Sequence, residues 1–243
     1  MSATITVIGF GSLLSEQDAR RSCPNLTGFR RAVVRGHRRV FHKVDSNIGG
    51  LTQDLHIADW TFSSDDRDDT LVTVFEVPAG EWPVLVAREF DYDLKEVPFE
   101  EADTGKQGTG IGCFGFESNA ACDERGQNDP MRSKDYARYR RFYSGPIYRQ
   151  DIFPWSYYLA RCLNAAHKQA TEYVHNILDH AYLADGETTI RSYLKMHGLS
   201  SPPVPAEVLA SPHYAQPDIT LGQFMERAGY IGLEQLDWLE RLL

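Results

Sequence analysis

Long hydrophobic runs are missing from this chain. No apolar stretch approaches the roughly 20 residues that cross a bilayer, so no membrane partner is expected. The N-terminus enters a strand-like segment almost at once, without the basic, apolar and small-residue order of a secretory signal. The four cysteines (Cys23, Cys113, Cys122, Cys162) are scattered and form no Cys-x-x-Cys. That speaks against zinc and dithiol motifs and for free thiols in a reducing compartment, the cytoplasm. Positive charge is scarce: 25 Lys and Arg face 34 Asp and Glu, a net charge of −9. Such a chain is a poor non-specific partner for nucleic acid or anionic lipid. There is no internal repeat and no Gly-Lys-Ser/Thr of a P-loop.

What is present is globular: 243 residues, 42% hydrophobic and 24% charged, enough for one large domain or one domain with an extension. Ile5-Thr-Val-Ile-Gly-Phe-Gly-Ser-Leu-Leu14 reads as a strand that breaks at glycines. Ser15-Glu-Gln-Asp18 follows as a capping-box-like helix start, with the helix over Glu16 to Ser22. Glycines let a ligand approach the main chain, and bare N–H groups at a helix start favour anions. The pattern is also that of an ordinary strand-to-helix turn. Gly9-x-Gly11 lacks the third glycine of a dinucleotide fingerprint, and Gly9-Phe-Gly-Ser-Leu13 is not the Gly-x-Ser-x-Gly elbow of a serine hydrolase.

Phe29 to Lys43 carries five Arg, one Lys and two His, and suits either an anion-binding surface or a charged strand. Leu55 to Phe62 and Thr70 to Val77 read as strands, separated by a polar loop over Ser63 to Asp69. In Glu81 to Tyr92, Trp82, Leu85 and Val86 define one apolar helix face, and the same spacing reaches Glu89. Two readings are open there. Either Glu89 is buried, with a pKa raised toward proton-transfer range, or the helix ends at Arg88 and the carboxylate is exposed or paired with Arg88's neighbours. Leu94 to Phe99 and Gly105 to Phe116 suit strands, and Glu117 to Arg132 a polar, mobile excursion. Helices dominate from Ser133, including Ile152 to His167, Lys168 to Leu183, one capped by Thr188 or Thr189, one capped by Thr220-x-x-Gln223, and an amphipathic one over Leu233 to Leu243. Ser201 to Pro217 is a proline-rich connection. Strands first and helices later indicate α+β: a mixed, barrel-like sheet core over residues 1–145 and a helical region over residues 146–243. The eight histidines show no spacing that assembles a site.

Two stretches resemble one family. Phe10-Gly11-Ser12-Leu13 after the first strand is similar to the Tyr-Gly-Ser-Leu loop of the γ-glutamylcyclotransferase-like family, with Phe10 in place of Tyr. Arg88-Glu89, then Tyr92 and Lys95-Glu-Val-Pro-Phe99, resembles the segment carrying that family's catalytic Glu, most of all in the glutathione-acting ChaC-like branch. Asp185 to Leu194 resembles the family's C-terminal segment, and the extension beyond residue 194 departs from it. The resemblance implies a barrel-like fold and a small-molecule γ-glutamyl substrate, glutathione or another γ-glutamyl-amino acid, that closes on itself to 5-oxoproline and releases its amine half, Cys-Gly or an amino acid. It also implies Glu89 as general acid/base, Gly9, Phe10, Gly11, Ser12 and Leu13 as substrate cradle, and no metal or organic cofactor. Competing readings are a γ-glutamyl-amine cyclotransferase, a non-catalytic γ-glutamyl-binding protein, and a serine hydrolase using Ser12.

Overall fold

The computed structural model describes residues 3–243. Five strands close into a barrel: β1 (Thr4–Gly9), β2 (Thr27–Val44), β3 (His56–Pro78), β4 (Asp93–Glu101) and β5 (Gln107–Phe114). β1 runs antiparallel to β3 from Thr4↔Pro78 to Gly9↔Thr73 and meets β5 in parallel at Val7↔Ile111. β4 joins β5 and β2 antiparallel, and β2 returns antiparallel to β3, so the ring has no open edge. Two strands of the C-terminal half extend it from outside: β6 (Phe153–Pro154) lies parallel to β3, and β7 (Ala181–Leu183) parallel to β2. The architecture is mixed α+β, as the order of patterns predicts.

Some expectations change. The polar segment Ser63 to Asp69 does not separate two strands; it lies within the 23-residue β3. The register jumps there from His37↔Ser64 to Arg35↔Asp69, with Gly36 (φ +68°) opposite the extra residues. The polar composition thus marks an irregularity in a continuous strand, where residues 65–68 stand opposite Gly36. Glu117 to Arg132 is not an irregular excursion. It holds α3 (Asn119–Asn128), capped by the Ser118 hydroxyl, and leads into α4 (Ser133–Tyr139). Leu233 to Leu243 is no continuous helix but two short 3₁₀ turns, Leu233–Gln235 and Glu240–Leu242.

Two short helices, α1 (Glu16–Ser22) and α2 (Trp82–Arg88), share a second small core with Val7 of β1 and Phe75 and Val77 of β3. α5 (Ser156–Gln169) buries Leu159, Ala160, Leu163 and Ala166 at helical spacing, and α6 (Thr171–His180) buries Tyr173, Val174, Ile177 and Leu178. These side chains share one core with Ile8, Phe41, Trp60 and Phe62 of the barrel. Each large apolar side chain buried there contributes about 1.5–3 kcal/mol. α7 (Ile190–His197) is capped by Thr189; α8 (Ala206–Leu209) interrupts the proline-rich connection; α9 (Leu221–Ala228) starts at the expected Thr220–Gln223 capping box. Among the described residues, no helix is long and apolar enough to cross a membrane.

Candidate active site

The first loop is held from below. After β1 the chain enters a 3₁₀ turn, Ser12–Leu14, and only then α1, whose N-cap is Ser15. The glycine loop therefore precedes the 3₁₀ turn rather than the α-helix. Only half of the capping box forms: the Ser15 hydroxyl accepts from the Asp18 N–H at 3.3 Å, while the Asp18 carboxylate turns to Arg161. The buried Arg39 of β2 donates to the Phe10 carbonyl at 2.8 Å and to Asn176 of α6 at 2.8 Å. Thr73 Oγ1 donates to the Leu13 carbonyl at 2.9 Å, and Gln169 to the Leu14 carbonyl at 2.8 Å. With these carbonyls fixed, the N–H groups of Gly11, Ser12 and Leu13 find no acceptor among the described residues. Both glycines are sterically required. A Cβ on Gly9 would lie 2.6 Å from the Leu13 carbonyl oxygen, and one on Gly11 would lie 2.6 Å from Trp60 Nε1 and 2.7 Å from the Tyr158 hydroxyl. Phe10 stacks on Phe62 with ring centroids 4.1 Å apart.

This loop forms one wall of a cavity of about 630 Å³, and Glu89 stands on the same cavity. α2 stops at Arg88, so the helix is shorter than the periodicity suggests, yet Glu89 is not thrown into solvent. As the C-cap residue it keeps its N–H on the Leu85 carbonyl, and its side chain is 12% exposed. Burial pushes the Glu89 carboxyl above its ordinary range; Arg88, with Nε 3.0 Å from Oε1, opposes that rise, and Asp91 adds to it. Arg88 also donates to Ser12 Oγ at 3.2 Å and to Ser22 Oγ at 2.9 Å, tying the carboxylate's neighbour to the loop. Ser12 Oγ has no imidazole partner among the described residues. His213 shares the cavity, but its Nε2 is 3.0 Å from Asn47 Oδ1 and its Nδ1 accepts from the Gln216 N–H. Burial holds its pKa down at about 4, so it stands neutral.

The structure adds a group that sequence reasoning missed. Lys43, at the end of the basic strand, is buried with its ammonium 2.6 Å from Asp91 and 3.1 Å from Asp59, and 4.6 Å from the Tyr92 ring centre. Its burial disfavours the charge, but Asp59 and Asp91 outweigh that and hold its pKa well above the ordinary value. Asp45 lies beside them, accepting from the Asn47 N–H at 2.7 Å and side-chain amide at 2.9 Å. Burial pushes the carboxyls of Asp45 and Asp59 upward despite Lys43. Arg30 and Arg38 of the same strand face elsewhere: Arg30 pairs with Glu76 and Glu101, and Arg38 with Asp65. Of β2, Lys43 alone lines the cavity. The signal available in sequence was weak: Lys43 is one of six cations in the run Phe29 to Lys43, and only Asp59 stands out as a single charge in an otherwise apolar strand segment.

In all, the cavity presents the carboxylates of Asp18, Asp45, Asp59, Glu89, Asp91 and Asp135 against Arg21, Lys43, Arg88 and Arg161. Arg161 holds Asp18 at 2.8 Å, and Arg138 holds Asp135 at 3.4 Å. His213, Tyr214, Phe224 and Tyr230 of the C-terminal extension complete the wall, so the extension covers this cavity. Among the described residues, no group of three or more His, Cys, Asp or Glu is arranged to hold a metal ion.

No family model and no curated protein matches the chain. Among solved structures it is similar to a γ-glutamyl cyclotransferase at 14% identity and TM-score 0.41, over 60% of this chain and 94% of that one. It is also similar to a glutathione-specific γ-glutamyl cyclotransferase from yeast at 15% identity and TM-score 0.44, over 74% of this chain and 98% of that one. A third similarity is to YkqA from Bacillus subtilis, at 15% identity and TM-score 0.45, over 83% of this chain and 56% of that one.

Proposed function

We propose that the protein is a γ-glutamyl cyclotransferase. One observation carries the reading: a carboxylate held above its ordinary pKa shares a cavity with three unengaged main-chain N–H groups. That pair suits a reaction whose nucleophile belongs to the substrate. The α-nitrogen of a γ-glutamyl compound bonds to its own γ-carbonyl carbon, the γ-amide C–N bond breaks, and 5-oxoproline and an amine leave. Two protons pass from the α-ammonium to the departing nitrogen. Glu89, in carboxylate form, accepts them and returns them in turn, which a raised pKa favours near neutrality. The N–H groups of Gly11, Ser12 and Leu13 face the oxyanion that develops on the γ-oxygen; each such donor is worth about 3–4 kcal/mol of barrier. The cavity holds the substrate folded for ring closure. Ser12, which accepts from Arg88, is a ligand contact in this scheme and not the attacking group.

The test is Glu89→Gln assayed for 5-oxoproline against a panel of γ-glutamyl compounds, with thermal unfolding run alongside. Loss of at least about 100-fold in kcat with an unchanged melting transition is expected. Full turnover in the variant refutes the assignment.

A further inference from the structure

Glu89 has little of its own to aim it. α2 ends one residue earlier, and the charged side chain that meets the carboxylate is that of its flexible neighbour Arg88. Its direction is therefore set by the turn over residues 89–92, which lies between α2 and β4. That turn has one main-chain bond of its own, from the Tyr92 N–H to the Glu89 carbonyl at 3.1 Å. Phe90, Asp91 and Tyr92 are buried, and no main-chain N–H among the described residues reaches their three carbonyls. Buried carbonyls need donors. All three find them in two side chains from the region after the barrel. Arg132, the N-cap residue of α4, donates through Nη1 to the Tyr92 carbonyl and, at 3.4 Å, to the Phe90 carbonyl. The Tyr148 hydroxyl donates to the Asp91 carbonyl at 2.5 Å.

Both donors are themselves held. Arg132 is 5% exposed, with Nε 3.1 Å from Asp129 and its guanidinium over the Phe116 ring. Asn119 of α3 fixes the main chain of Tyr148, accepting from its N–H at 2.8 Å and donating to its carbonyl at 2.9 Å. A buried guanidinium is costly unless its donors are used, and here they are used on the residues that follow Glu89. Neither side chain lines the cavity, so neither meets a substrate held there. We propose that Arg132 and Tyr148 are positioning residues for Glu89: they grip the turn by its carbonyls and keep the carboxylate aimed into the cavity. The role rests on the cyclotransferase reading of Glu89. It also gives the polar segment before α4 a purpose, since Asn119, Asp129 and Arg132 all belong to it.

The test is Tyr148→Phe, which deletes the hydroxyl and keeps the ring. Tyr173→Phe is the control, because it deletes the same kind of bond, 3.0 Å from a buried phenol to the Val72 carbonyl of β3, outside the turn. Both variants of the full chain are melted and assayed for 5-oxoproline with the γ-glutamyl compound that the unaltered protein turns over fastest. Similar melting transitions are expected. Only Tyr148→Phe lowers kcat, by about 10-fold at constant KM, because the glycine loop is untouched and a small misplacement of the carboxylate acts on the chemical step. Its acid limb in kcat/KM moves down toward the ordinary glutamate range, since a loosened turn returns Glu89 to water. Arg132→Lys keeps the charge, shortens the reach to the two carbonyls, and gives the same fall in kcat at constant KM. Kinetics in Tyr148→Phe or Arg132→Lys that match Tyr173→Phe overturn the positioning role and leave the cyclotransferase reading standing. No 5-oxoproline from the unaltered protein with any compound of the panel overturns both.

Discussion

The two walls of the cavity are built from different materials. The glycine-loop wall offers main-chain N–H groups, whose partial charges are fixed by the fold and cost little to hold in place. The rest of the lining offers titratable side chains, beginning at Asp91 only two residues after Glu89, whose charges exist only in relation to one another. The first is braced by neutral and cationic groups acting on carbonyls: Arg39 on Phe10, Thr73 on Leu13, Gln169 on Leu14. The second is braced by one ammonium, Lys43, shared between two aspartates. On the cyclotransferase proposal, developing negative charge belongs at the loop, and Glu89 is the group that changes charge, under the influence of Arg88, Asp91 and Lys43.

Breaking the acidic wall has the largest expected effect on stability. Lys43→Met removes the only cation among Asp45, Asp59 and Asp91 and leaves buried carboxylates uncompensated, at a cost of about 3–5 kcal/mol. Urea unfolding at pH 7 reads this directly. The deficit shrinks as pH falls, because protonated carboxyls need no partner, and it is largely gone below about pH 4, where aspartates are protonated in the unfolded chain too. A deficit that persists unchanged at low pH means that Lys43 contributes by packing and not by charge.

Breaking the loop wall acts on rate. Gly11→Ala drives a methyl group against Trp60 Nε1 and the Tyr158 hydroxyl. Overpacking of this kind costs about 1–3 kcal/mol, and a shift of the donors by about 1 Å lowers kcat by about 100-fold. Gly80→Ala is the matched control, because a Cβ there meets nothing within 4 Å. If both alanine variants turn over equally well, the loop does not position the reacting atoms.

These walls were unequally legible in sequence. The loop could be read because its backbone requirement is local: strand, Gly9, Gly11 and Ser12 are adjacent, and their sterics are written into a few residues. Glu89 could be read for a related reason, since Leu85 and Val86 fix the helix face three to four residues before it. Its exact setting could not, because periodicity does not say that α2 stops at Arg88 and that the C-cap turns the carboxylate into the cavity. The acidic wall was invisible. Lys43, Asp59 and Asp91 come from β2, β3 and the loop after α2, and only closure of the barrel brings them together. The closed barrel itself depends on β4 meeting β2 through two residue pairs, a long-range register that no local pattern encodes. The 63–69 segment was misread because Asp and Ser composition describes a bulge as well as a loop.

A smaller effect sharpens the contrast through Glu89, which both walls influence. Proton acceptance requires the carboxylate, so kcat/KM falls on the acid side with the pKa of Glu89 in the free enzyme. Burial places that limb above the ordinary glutamate value of about 4.3. Arg88, with a smaller contribution from Lys43, favours the charged form, so Arg88→Met moves the limb to still higher pH, whereas Asp91→Asn, by removing a like charge, moves it lower. A limb that stays in place in both variants belongs to another group.

The smallest effect separates contact from nucleophile at the loop wall. Ser12→Ala deletes a hydroxyl whose one side-chain partner is Arg88, and Arg88 keeps its bonds to Ser22 and Glu89. The main-chain N–H groups of residues 11–13 are untouched by the change. A hydrogen bond to a charged group is worth about 1.5–3 kcal/mol, and with Arg88 still engaged the loss sits at the low end, so kcat/KM drops by about 10-fold. A serine nucleophile would behave otherwise: its removal abolishes turnover, and the unaltered protein reacts with a fluorophosphonate at Ser12. Retained activity in Ser12→Ala, with kcat lost in Glu89→Gln, is the outcome expected when the attacking atom belongs to the substrate, with the loop left to stabilise the oxyanion and Glu89 to carry the protons.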